Sequence, residues 1–396
     1  MAIGLYIHLP WCIKKCPYCD FNSHVRQAQT LPVALQQQYA QALHRDLSSD
    51  IDWLGNKPEV SSLFFGGGTP SLFAPDVIQT ILQQVDDTVN LSSTAEITLE
   101  TNPGSLDLGQ PRQAQARLAG YRAAGVNRLS IGVQSFNPQA LQRLGRIHSQ
   151  EEACQAYQMA QTAGFDNINL DLMFGLPGQT QAELMQDIQT AIALQPEHLS
   201  YYQLTLEENT PFYYRPPTLP DDEALWDWQQ AALMQLSNAG YRRYEISAYT
   251  HDRVCQHNIN YWEFGDYLGI GAGAHGKHSH NGIVRRVKPK APNTYMNSVS
   301  SDVMQLVTVD NQLQTYPVTS AELPFEYMMN RLRLFTPFDL QDFTDKTGLP
   351  LSHIQPVLSK AQAHDLLALT RQQAQVTPKG HTYLNEWLDW FHIDKE

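Results

Sequence analysis

Three of the five cysteines in this chain fall within eight residues near its start. Cys12, Cys16 and Cys19 have a C-x3-C-x2-C spacing, and three thiolates on one compact loop can hold three irons of a cubane [4Fe–4S] cluster. A cluster with three protein ligands leaves one iron open for an exogenous chelator. Lys14 and Lys15 lie inside the loop and would offset the negative charge of the thiolates. This spacing therefore predicts an iron–sulfur site.

Zinc is the alternative metal for this loop. A structural zinc site normally needs four ligands, and no fourth cysteine lies nearby. His8 or His24 would have to complete the site, which makes zinc the weaker interpretation. The other two cysteines, Cys154 and Cys255, are expected to be ordinary thiols, since an odd count in a chain of this size does not suggest a disulfide framework.

Further groups suited to ligand binding stand where later β-type runs end. Gly66, Gly67 and Gly68 follow the second run; glycines let a backbone approach a ligand closely, and their N–H groups can face a carboxylate. Glu100 follows the third run and Gln134 the fourth. Because the carboxyl ends of parallel strands form the ligand-binding edge of an α/β fold, these groups are expected to meet around one site.

Six β-type runs, each followed by a helical pattern, must position these groups. The runs are Leu5–Leu9, Ser61–Phe65, Glu96–Glu100, Arg128–Gln134, Asn167–Met173 and Leu199–Leu206. The helix-like segments are 33–50, 75–89, 111–124, 138–144, 150–163 and 180–194, with helix stops at Gly125 and Gly164. Strands that alternate with helices of this length imply a parallel sheet, and the units together suit an α/β fold with an open or closed barrel.

The chain is expected to divide into three regions. The barrel covers residues 1–210, and four prolines between positions 211 and 220 mark the passage into a connecting α/β segment, residues 211–310. Residues 311–396 form a small, mainly helical C-terminal domain that resembles a winged-helix arrangement. Its residues from 321 onward include 7 basic and 10 acidic side chains, so DNA is a disfavoured partner.

The predicted helices, strands and loops of the second half of the chain are less sharply defined. A helix near 221–239 and a strand near 241–248 are predicted, whereas 250–300 is rich in Gly, His and Asn and is interpreted as loops. The predicted elements of the tail are helices at 321–335, 339–347, 352–364 and 379–391, with a short β pair around 366–377.

Composition excludes several classes of function. The chain has 27 basic and 40 acidic residues, a formal net charge of −13, so it is a poor general binder of nucleic acid or of anionic membranes. A hydrophobic fraction of 42% allows a sizeable core. No run of about 18 apolar residues predicts a membrane-spanning helix, and the start lacks the basic residues and the cleavage site of a signal peptide. A cytoplasmic protein is expected.

The cysteine motif after a first strand, with Tyr18 just before the last cysteine, resembles the radical S-adenosylmethionine (SAM) superfamily, and the resemblance covers residues 1–210. It implies a partial (β/α)6 TIM-like barrel that binds a [4Fe–4S] cluster and SAM. In that superfamily the open iron binds the amino and carboxylate groups of SAM, and one electron cleaves the sulfonium to release a 5′-deoxyadenosyl radical. A small electron-donor protein, such as flavodoxin or ferredoxin, is an implied partner.

Finer features resemble the subgroup of oxygen-independent coproporphyrinogen III oxidase. Tyr6 stands six residues before Cys12, as the SAM-contacting tyrosine of that subgroup does. Arg146 could hold a carboxylate, while Glu100 and Asp171 could accept hydrogen bonds from hydroxyls or an amine. The residues that the resemblance assigns to SAM are Tyr6, Tyr18, Gly67, Gly68, Thr69, Glu100, Gln134, Arg146 and Asp171.

Two departures separate the chain from that oxidase. Phe21 stands where the oxidase has a fourth cysteine, and the N-terminal extension that helps to form its substrate site has no counterpart before the cysteine loop. These departures disfavour porphyrinogen decarboxylation, which is kept as the alternative function. A tRNA-modifying radical enzyme is a further alternative, and the acidic charge disfavours it.

A third feature, H-N-x-x-Y-W, matches a signature of the haem chaperone branch of the superfamily. It implies haem as bound cargo, haem-accepting proteins as partners, and membrane contact only through those acceptors. Imidazole can ligate iron and aromatic rings can face a porphyrin. The haem-binding candidates are His257, Asn258, Tyr261 and Trp262. The same motif could instead be a buried segment or shape the mouth of the site, and Cys255 is a possible thiolate ligand that is more simply a buried thiol.

Three other signals are set aside. Residues 271–276 fit G-x-G-x-x-G, but no helical pattern follows, so dinucleotide binding is rejected. His275, His278 and His280 could bind a metal, although a solvated or locally bonded loop is the simpler interpretation. The basic run 285–290 could contact RNA or porphyrin propionates, and a solvated strand edge is the preferred interpretation.

Overall fold

Strands and helices alternate along the first half of the chain. The computed structural model describes residues 2–26, 30–279, 282–299 and 313–392. The strands are β1 (Ile3–Leu9), β2 (Trp11–Cys12), β3 (His24–Val25), β4 (Glu59–Gly67), β5 (Asn90–Thr101), β6 (Arg128–Gln134), β7 (Ile168–Phe174), β8 (His198–Gln203), β9 (Arg242–Glu245), β10 (Ala248–Thr250), β11 (Tyr267–Ile270), β12 (His275–Ser279), β13 (Ile283–Val287), β14 (Gln314–Pro317), β15 (Phe338–Asp339), β16 (Leu367–Leu369) and β17 (Gln373–Val376). The helices are α1 (Val33–Leu54), α2 (Pro75–Thr88), α3 (Pro111–Ala124), α4 (Pro138–Arg143), α5 (Gln150–Thr162), α6 (Gln181–Leu194), α7 (Pro211–Tyr214), α8 (Asp222–Asn238), α9 (Gln256–Trp262), α10 (Pro292–Ser298), α11 (Leu323–Arg331), α12 (Leu340–Thr347), α13 (Gln355–Ala363), α14 (Pro378–Thr382) and α15 (Leu384–Leu388). None of these helices is both long enough and apolar enough to cross a membrane.

Six parallel strands form the barrel that the sequence predicts. In the described part of the chain one twelve-stranded sheet has the order β14-β13-β12-β11-β1-β4-β5-β6-β7-β8-β10-β9, and the stretch from β1 to β8 is parallel throughout. Leu5 and Ile7 of β1 are fully buried in one core with Tyr39 and Leu43 of α1. Tyr6 alternates with them and points to the opposite face, into the barrel. The α/β class with a partial (β/α)6 barrel is thus confirmed.

Local signals explain where several barrel helices begin and end. Ser149 begins α5 and Thr180 begins α6, each with a reciprocal capping box to a glutamate three residues later. Gly125 ends α3 with φ 114°, and Gly164, just past α5, has φ 89°. Both conformations are left-handed and favour glycine. The helix stops predicted at these two glycines are confirmed.

The interpretation of residues 250–300 as loops is wrong. That stretch holds α9, β11, β12, β13 and α10; β11 pairs in parallel with β1, and β12 and β13 continue the sheet as antiparallel strands. At the other edge the single strand predicted at 241–248 is two strands, β9 and β10, and β10 is antiparallel to β8. Short strands rich in Gly, His and Arg have no alternating apolar pattern, so only their pairing partners reveal them.

Part of the basic run 285–290 is buried rather than solvated. Lys288 Nζ lies 2.5 Å from Asp46 Oδ1 and 2.7 Å from Asp50 Oδ1, and Arg286 Nη2 lies 3.0 Å from Asp50 Oδ1. Buried charges persist in a fold when they are paired and hydrogen-bonded in this way. The network joins α1 to β13, so these two basic side chains are not available to bind RNA or propionates.

A second hydrophobic core lies in the C-terminal region. Helices α11 to α15 surround the three-stranded sheet β15-β17-β16, and their core includes Tyr327, Phe343 and Trp387. Phe264 and Ile283 of the connecting segment belong to the same core, so the tail packs on the edge of the barrel sheet. The predicted boundary at residue 310 lies outside the described residues, and the division into three regions stays a prediction.

Candidate functional site

The carboxyl ends of the barrel strands surround a cavity of about 520 Å³. Cavities of this size accommodate small-molecule ligands and cofactors. Most of the residues that the sequence assigns to the cofactors line it, namely Cys12, Cys16, Tyr18, Cys19, Gly67, Gly68, Thr69, Glu100, Gln134, Arg146 and Asp171. Residues that are distant in the chain meet here because most of them lie on, or just after, strands of the same parallel sheet.

A short strand pairing holds the cysteine loop, residues 12–19, at this cavity. β2 and β3 are parallel neighbours, with Cys12 opposite Val25. Cys12 is buried, whereas Cys16 and Cys19 are half-buried. Burial raises the pKa of the Cys12 and Cys19 thiols. Thiols of this kind ionise when a metal binds, because the metal charge stabilises the thiolate, so three thiols lining one cavity fit the protein ligands of a [4Fe–4S] cluster.

The structure disfavours zinc at the same loop. Both nitrogens of His8 have partners, with Nδ1 2.9 Å from the Tyr6 hydroxyl and Nε2 2.8 Å from the Asn22 carbonyl oxygen. His24 Nε2 lies 3.3 Å from the Lys290 carbonyl oxygen. Among the described residues, no three His, Cys, Asp or Glu side chains converge as a mononuclear metal site requires. Thiolates of a cubane cluster each ligate a different iron and need not converge.

Two acidic side chains, Glu100 and Asp171, lie deep in the barrel and keep some surface toward the cavity. Burial, and next the charge of Asp171, raise the pKa of Glu100 to about 8. Burial also raises the pKa of Asp171, although Asn169 and Ser130 donate hydrogen bonds to it. Two neighbouring acids in a poorly hydrated setting repel each other when both are ionised. The pair therefore favours a ligand that brings positive charge or hydroxyl donors.

Gln134 and Arg146 are held at the cavity by other parts of the barrel. Gln134 ends β6 in a left-handed conformation with φ 69°, and its side-chain oxygen accepts a hydrogen bond from the Tyr202 hydroxyl at 2.8 Å. Arg146 Nη2 donates to the Gly132 carbonyl oxygen at 2.6 Å, and Nη1 lies 3.8 Å from Cys16 Sγ. Arg146 Nε has no partner among the described residues. A guanidinium with this N–H unused fits a carboxylate ligand.

The glycine segment makes backbone contacts within the protein. The Gly68 N–H donates to the Leu9 carbonyl oxygen at 2.9 Å, and the Thr69 N–H donates to the Trp11 carbonyl oxygen at 2.8 Å. A Cβ atom on Gly68 would lie 2.5 Å from the Trp11 oxygen, so only glycine fits beside the strand that enters the cysteine loop. The expectation that the glycine N–H groups face a ligand carboxylate is wrong at Gly68, although Gly68 and Thr69 both border the cavity.

Tyr6 is the one residue assigned to SAM that does not line the cavity. Its hydroxyl lies 2.9 Å from His8 Nδ1, and its ring stacks on Phe64 with centroids 6.4 Å apart. The side chain is half-buried inside the barrel, and burial raises its pKa, with Glu100 as the next cause. Tyr6 therefore lies beneath the cavity wall, and its contact with SAM stays a prediction.

The H-N-x-x-Y-W motif forms α9, at the opposite end of the barrel from the cysteine loop. His257 packs beside Gly4 and stacks on Phe64 with centroids 5.2 Å apart. Its Nδ1 lies 3.1 Å from Ser62 Oγ and its Nε2 lies 2.8 Å from the Tyr261 hydroxyl. The side chain is only 1% exposed. Both ring nitrogens thus have partners, and His257 offers no free nitrogen to haem iron in this structure.

The other members of the motif are half-buried on the same helix. The Arg333 guanidinium lies 4.1 Å from the centre of the Trp262 ring. Cys255 is buried, its Sγ lies 3.5 Å from Glu96 Oε1, and burial raises its pKa to about 12. The prediction of a buried thiol at Cys255 is confirmed. The suggestion that the motif shapes the cavity mouth is wrong, while haem contact by His257, Asn258, Tyr261 and Trp262 stays a prediction.

Replacing His257 by Ala should lower the free energy of unfolding by about 2–3 kcal/mol, because two buried hydrogen bonds are lost and a void opens at the end of the barrel. Urea titrations of the cluster-free chain measure this effect. Gln256→Ala is the matched control, since Gln256 is an exposed neighbour on the same helix. An unchanged urea midpoint together with lost haem binding would instead assign His257 a direct contact with haem.

The structure explains the glycine motif and two of the histidines of residues 271–280, to which the sequence assigns no function. Residues 271–276 lead into β12, a strand, so no helix follows that could complete a dinucleotide site. His278 is buried beside the Trp53 ring, and His275 lies three positions away on β12, on the opposite face of the sheet. His280 lies outside the described residues.

Strand alternation could have found several cavity residues that the sequence reasoning missed. On β8, Ser200 and Tyr202 line the cavity; on β6, Ser130 and Gly132 do so at two-residue steps from Gln134. Side chains two positions apart share one face of a strand. Counting back by twos from Gln134 would therefore have identified Gly132 and Ser130, and the same alternation relates Tyr202 to Ser200.

Comparisons with known proteins agree with this geometry. The model of the radical SAM superfamily matches residues 6–191, and that of the HemN C-terminal domain matches residues 318–382. The chain is 43% identical to the heme chaperone HemW of Escherichia coli over 98% of both chains. It is 42% identical to the heme chaperone HemW of Haemophilus influenzae over 98% of this chain and 97% of that protein.

The fold also matches a solved structure. Coproporphyrinogen III oxidase (HemN) from Escherichia coli, whose structure is described as that of a radical SAM enzyme, superposes with a TM-score of 0.79 at 22% identity. The match covers 99% of this chain and 90% of that one. At this identity the similarity shows a shared fold.

Proposed function

The chain belongs to the radical SAM superfamily and, within it, to the family of HemW heme chaperones, and on this basis we propose that it binds a [4Fe–4S] cluster, SAM and haem and delivers haem to acceptor proteins. The observation that carries the proposal is the 43% identity to a heme chaperone over 98% of both chains. Membership of the superfamily implies the cluster and SAM. The cysteine loop and the acidic cavity wall support both.

The proposed cluster ligands are Cys12, Cys16 and Cys19, the thiols that line the cavity. When bound, the cluster supplies an iron with an open coordination position and one-electron chemistry at the SAM sulfonium. Arg146 would pair with the carboxylate of SAM through its unused N–H. Tyr18, half-buried in the loop between two of the cysteines, would restrict water at the same place.

The acidic pair gives SAM the groups that match its positive charge. Glu100 and Asp171 would accept hydrogen bonds from the ribose hydroxyls or the amine, and the sulfonium and ammonium charges would relieve the repulsion between the two carboxylates. Gln134, held by Tyr202, would supply a further polar contact. These side chains bind and orient SAM, and no proton transfer is assigned to them.

The proposal extends to partners. Haem-accepting proteins would receive the cargo, and a small electron donor such as flavodoxin or ferredoxin would reduce the cluster. A net charge of −13 supports the absence of a nucleic-acid partner. We propose a cytoplasmic site of action, with membrane contact only through acceptors.

A direct test compares haem binding with porphyrinogen turnover in the anaerobically reconstituted protein. We expect a haem titration to produce a saturable Soret band, and incubation with coproporphyrinogen, SAM and a chemical reductant to yield no protoporphyrinogen. The Escherichia coli oxidase serves as the positive control for turnover, since its fold is similar. Turnover by this chain, without stable haem binding, would replace the chaperone proposal by the decarboxylase alternative.

A further inference from the structure

A continuous line of buried polar groups runs from the start of α9 to the cofactor cavity. The backbone nitrogen of Cys255 lies 3.2 Å from the Tyr244 hydroxyl, and that hydroxyl lies 2.8 Å from His198 Nε2. On the other side of the imidazole, Nδ1 lies 2.6 Å from Asn169 Oδ1. Asn169 Nδ2 lies 2.8 Å from Asp171 Oδ1, at the cavity wall. His198 and Asn169 are each 1% exposed, so water does not compete for these bonds.

The donor and acceptor groups along this line allow one direction for its hydrogen bonds, from Cys255 toward Asp171. The Cys255 N–H can only donate, so the Tyr244 oxygen accepts from it and keeps its own O–H to donate to His198 Nε2. Burial, and next Arg128, lower the pKa of His198 well below its ordinary value, so the ring carries a single proton. That proton is on Nδ1, because Nε2 accepts, and Nδ1 donates to the Asn169 carbonyl.

The direction continues to the carboxylate. With its carbonyl committed to His198, Asn169 turns its NH2 group toward Asp171; a flipped amide would place two acceptors against each other. Ser200 Oγ donates to the same Asn169 oxygen at 3.1 Å. Asn169 Nδ2 also donates to Ser130 Oγ at 2.7 Å, and the Ser130 hydroxyl then donates to Asp171 Oδ2 at 3.1 Å. Both oxygens of Asp171 therefore accept a hydrogen bond.

We propose that His198, held between Tyr244 and Asn169, is a positioning residue that orients Asp171 as an acceptor for SAM. This inference rests on the proposed function, because Asp171 is assigned to SAM only there. An acidic group this deep would otherwise rotate or protonate, and the donors from Asn169 and Ser130 oppose both. The far end of the line is the backbone N–H of Cys255, the residue that precedes α9, so the start of this helix supports the SAM site from the far end of the barrel.

The Tyr244→Phe variant tests the proposal with the smallest change of shape. Loss of the hydroxyl leaves His198 Nε2 without its donor, while Nδ1–H still donates to Asn169. The tautomer is therefore kept, but the Nε2 signal should move to that of a nitrogen without a hydrogen bond, and the ring loses one of its two fixed contacts. Nitrogen-15 NMR of histidine-labelled full-length protein measures this, and the His198 signal is identified by its loss in His198→Ala. We expect SAM affinity of the cluster-loaded variant to fall about two- to twelvefold, the range for loss of one neutral hydrogen bond. The cluster content should stay unchanged.

Tyr249→Phe is the matched control. Tyr249 is buried on the neighbouring β10, and its hydroxyl has no hydrogen-bond partner within the described part of the chain. Its loss should leave both the His198 Nε2 signal and SAM affinity as in the unmodified chain. Unchanged SAM affinity in Tyr244→Phe, with an altered His198 Nε2 signal, would overturn the proposal, and so would an unaltered Nε2 signal. If the unmodified, cluster-loaded chain failed to bind SAM, the proposed function would fail instead, while the NMR measurement would still test the hydrogen-bond line itself.

Discussion

Replacing Cys16 by Ala should prevent assembly of the [4Fe–4S] cluster, with iron falling from about four atoms per chain to a small fraction of that after anaerobic reconstitution. Two thiolates on a short loop cannot hold a cubane that already lacks one protein ligand. Loss of the cluster removes the iron that would bind SAM, so SAM cleavage should fall below detection. Iron and sulfide analysis, visible absorbance and release of 5′-deoxyadenosine measure the three effects.

Cys154→Ala provides the control for loss of a thiol as such. Cys154 lies half-buried on α5, outside the cavity, and its replacement should leave cluster content unchanged. A Cys16→Ala protein with normal iron content and absorbance would contradict the assignment of the cysteine loop to a cluster. It would also contradict the interpretation of the barrel as a SAM site.

Replacing Glu100 by Gln should stabilise the cofactor-free protein at alkaline pH while weakening SAM binding about tenfold to a hundredfold. The two effects share one cause: the pKa of Glu100 is raised from its ordinary value of 4.5 to about 8, first by burial and then by the charge of Asp171. Folding therefore keeps this carboxyl protonated at pH values where the unfolded chain has already released the proton. The carboxyl of Glu100, which SAM would bind, therefore lowers the free energy of unfolding of the cofactor-free protein.

The sign of the pH effect follows from this shift. Below pH 4.5 the folded and unfolded chains are both protonated at Glu100, and the group does not affect stability. As pH rises toward 8, the unfolded chain ionises first and the free energy of unfolding falls, by about 1.4 kcal/mol for each unit of pKa shift. Glu100→Gln lacks this loss, so its advantage should grow between pH 5 and pH 8 to a few kcal/mol.

Urea titrations of the cluster-free protein across this pH range, with SAM titrations of the reconstituted protein, test both parts. Glu207→Gln is the matched control, because Glu207 lines the same cavity but is exposed. Equal pH profiles for Glu100→Gln and the unmodified chain would show that Glu100 is ionised in the folded protein. Retained SAM affinity would remove it from the cofactor site.

The two predictions distinguish different parts of the site. Cys16 is a proposed cluster ligand, and its loss should leave the free energy of unfolding of the cluster-free chain nearly unchanged because the thiol is only half-buried. Glu100 acts on the charge balance of the barrel interior, and its loss should leave cluster assembly intact. Together they separate a failure to hold iron from a failure to hold SAM.

Patterns that repeat over a few residues made much of this protein predictable. The spacing of Cys12, Cys16 and Cys19 predicts a loop that can hold three irons, since loop geometry depends on neighbouring residues alone. The strand from Arg128 to Gln134 has the predicted limits, and Gly125 ends the helix before it. Ligand spacing, apolar periodicity and helix ends are local properties, and the parallel order of the barrel follows from their alternation.

Contacts between residues that are far apart in the chain could not be predicted from these local patterns. Lys288 appears in the sequence as part of a solvated basic run, yet its partner Asp46 lies 242 positions away on α1. The edge strands β9 to β13 have no apolar alternation and exist because the barrel sheet offers them a partner. The sequence around Gly68 predicts a ligand contact. The structure shows instead that glycine is needed at this position because the Trp11 carbonyl oxygen approaches closely.

The sequence by itself determined that this chain has a cysteine loop with the spacing of cluster ligands, a parallel barrel and acidic groups at the strand ends. Only the tertiary structure decided that His257 lies at the far end of that barrel with both nitrogens bonded, and that His198 stands behind Asp171. The physical reason is that a hydrogen bond needs two partners in a fixed direction, and the fold brings together partners that no local pattern relates.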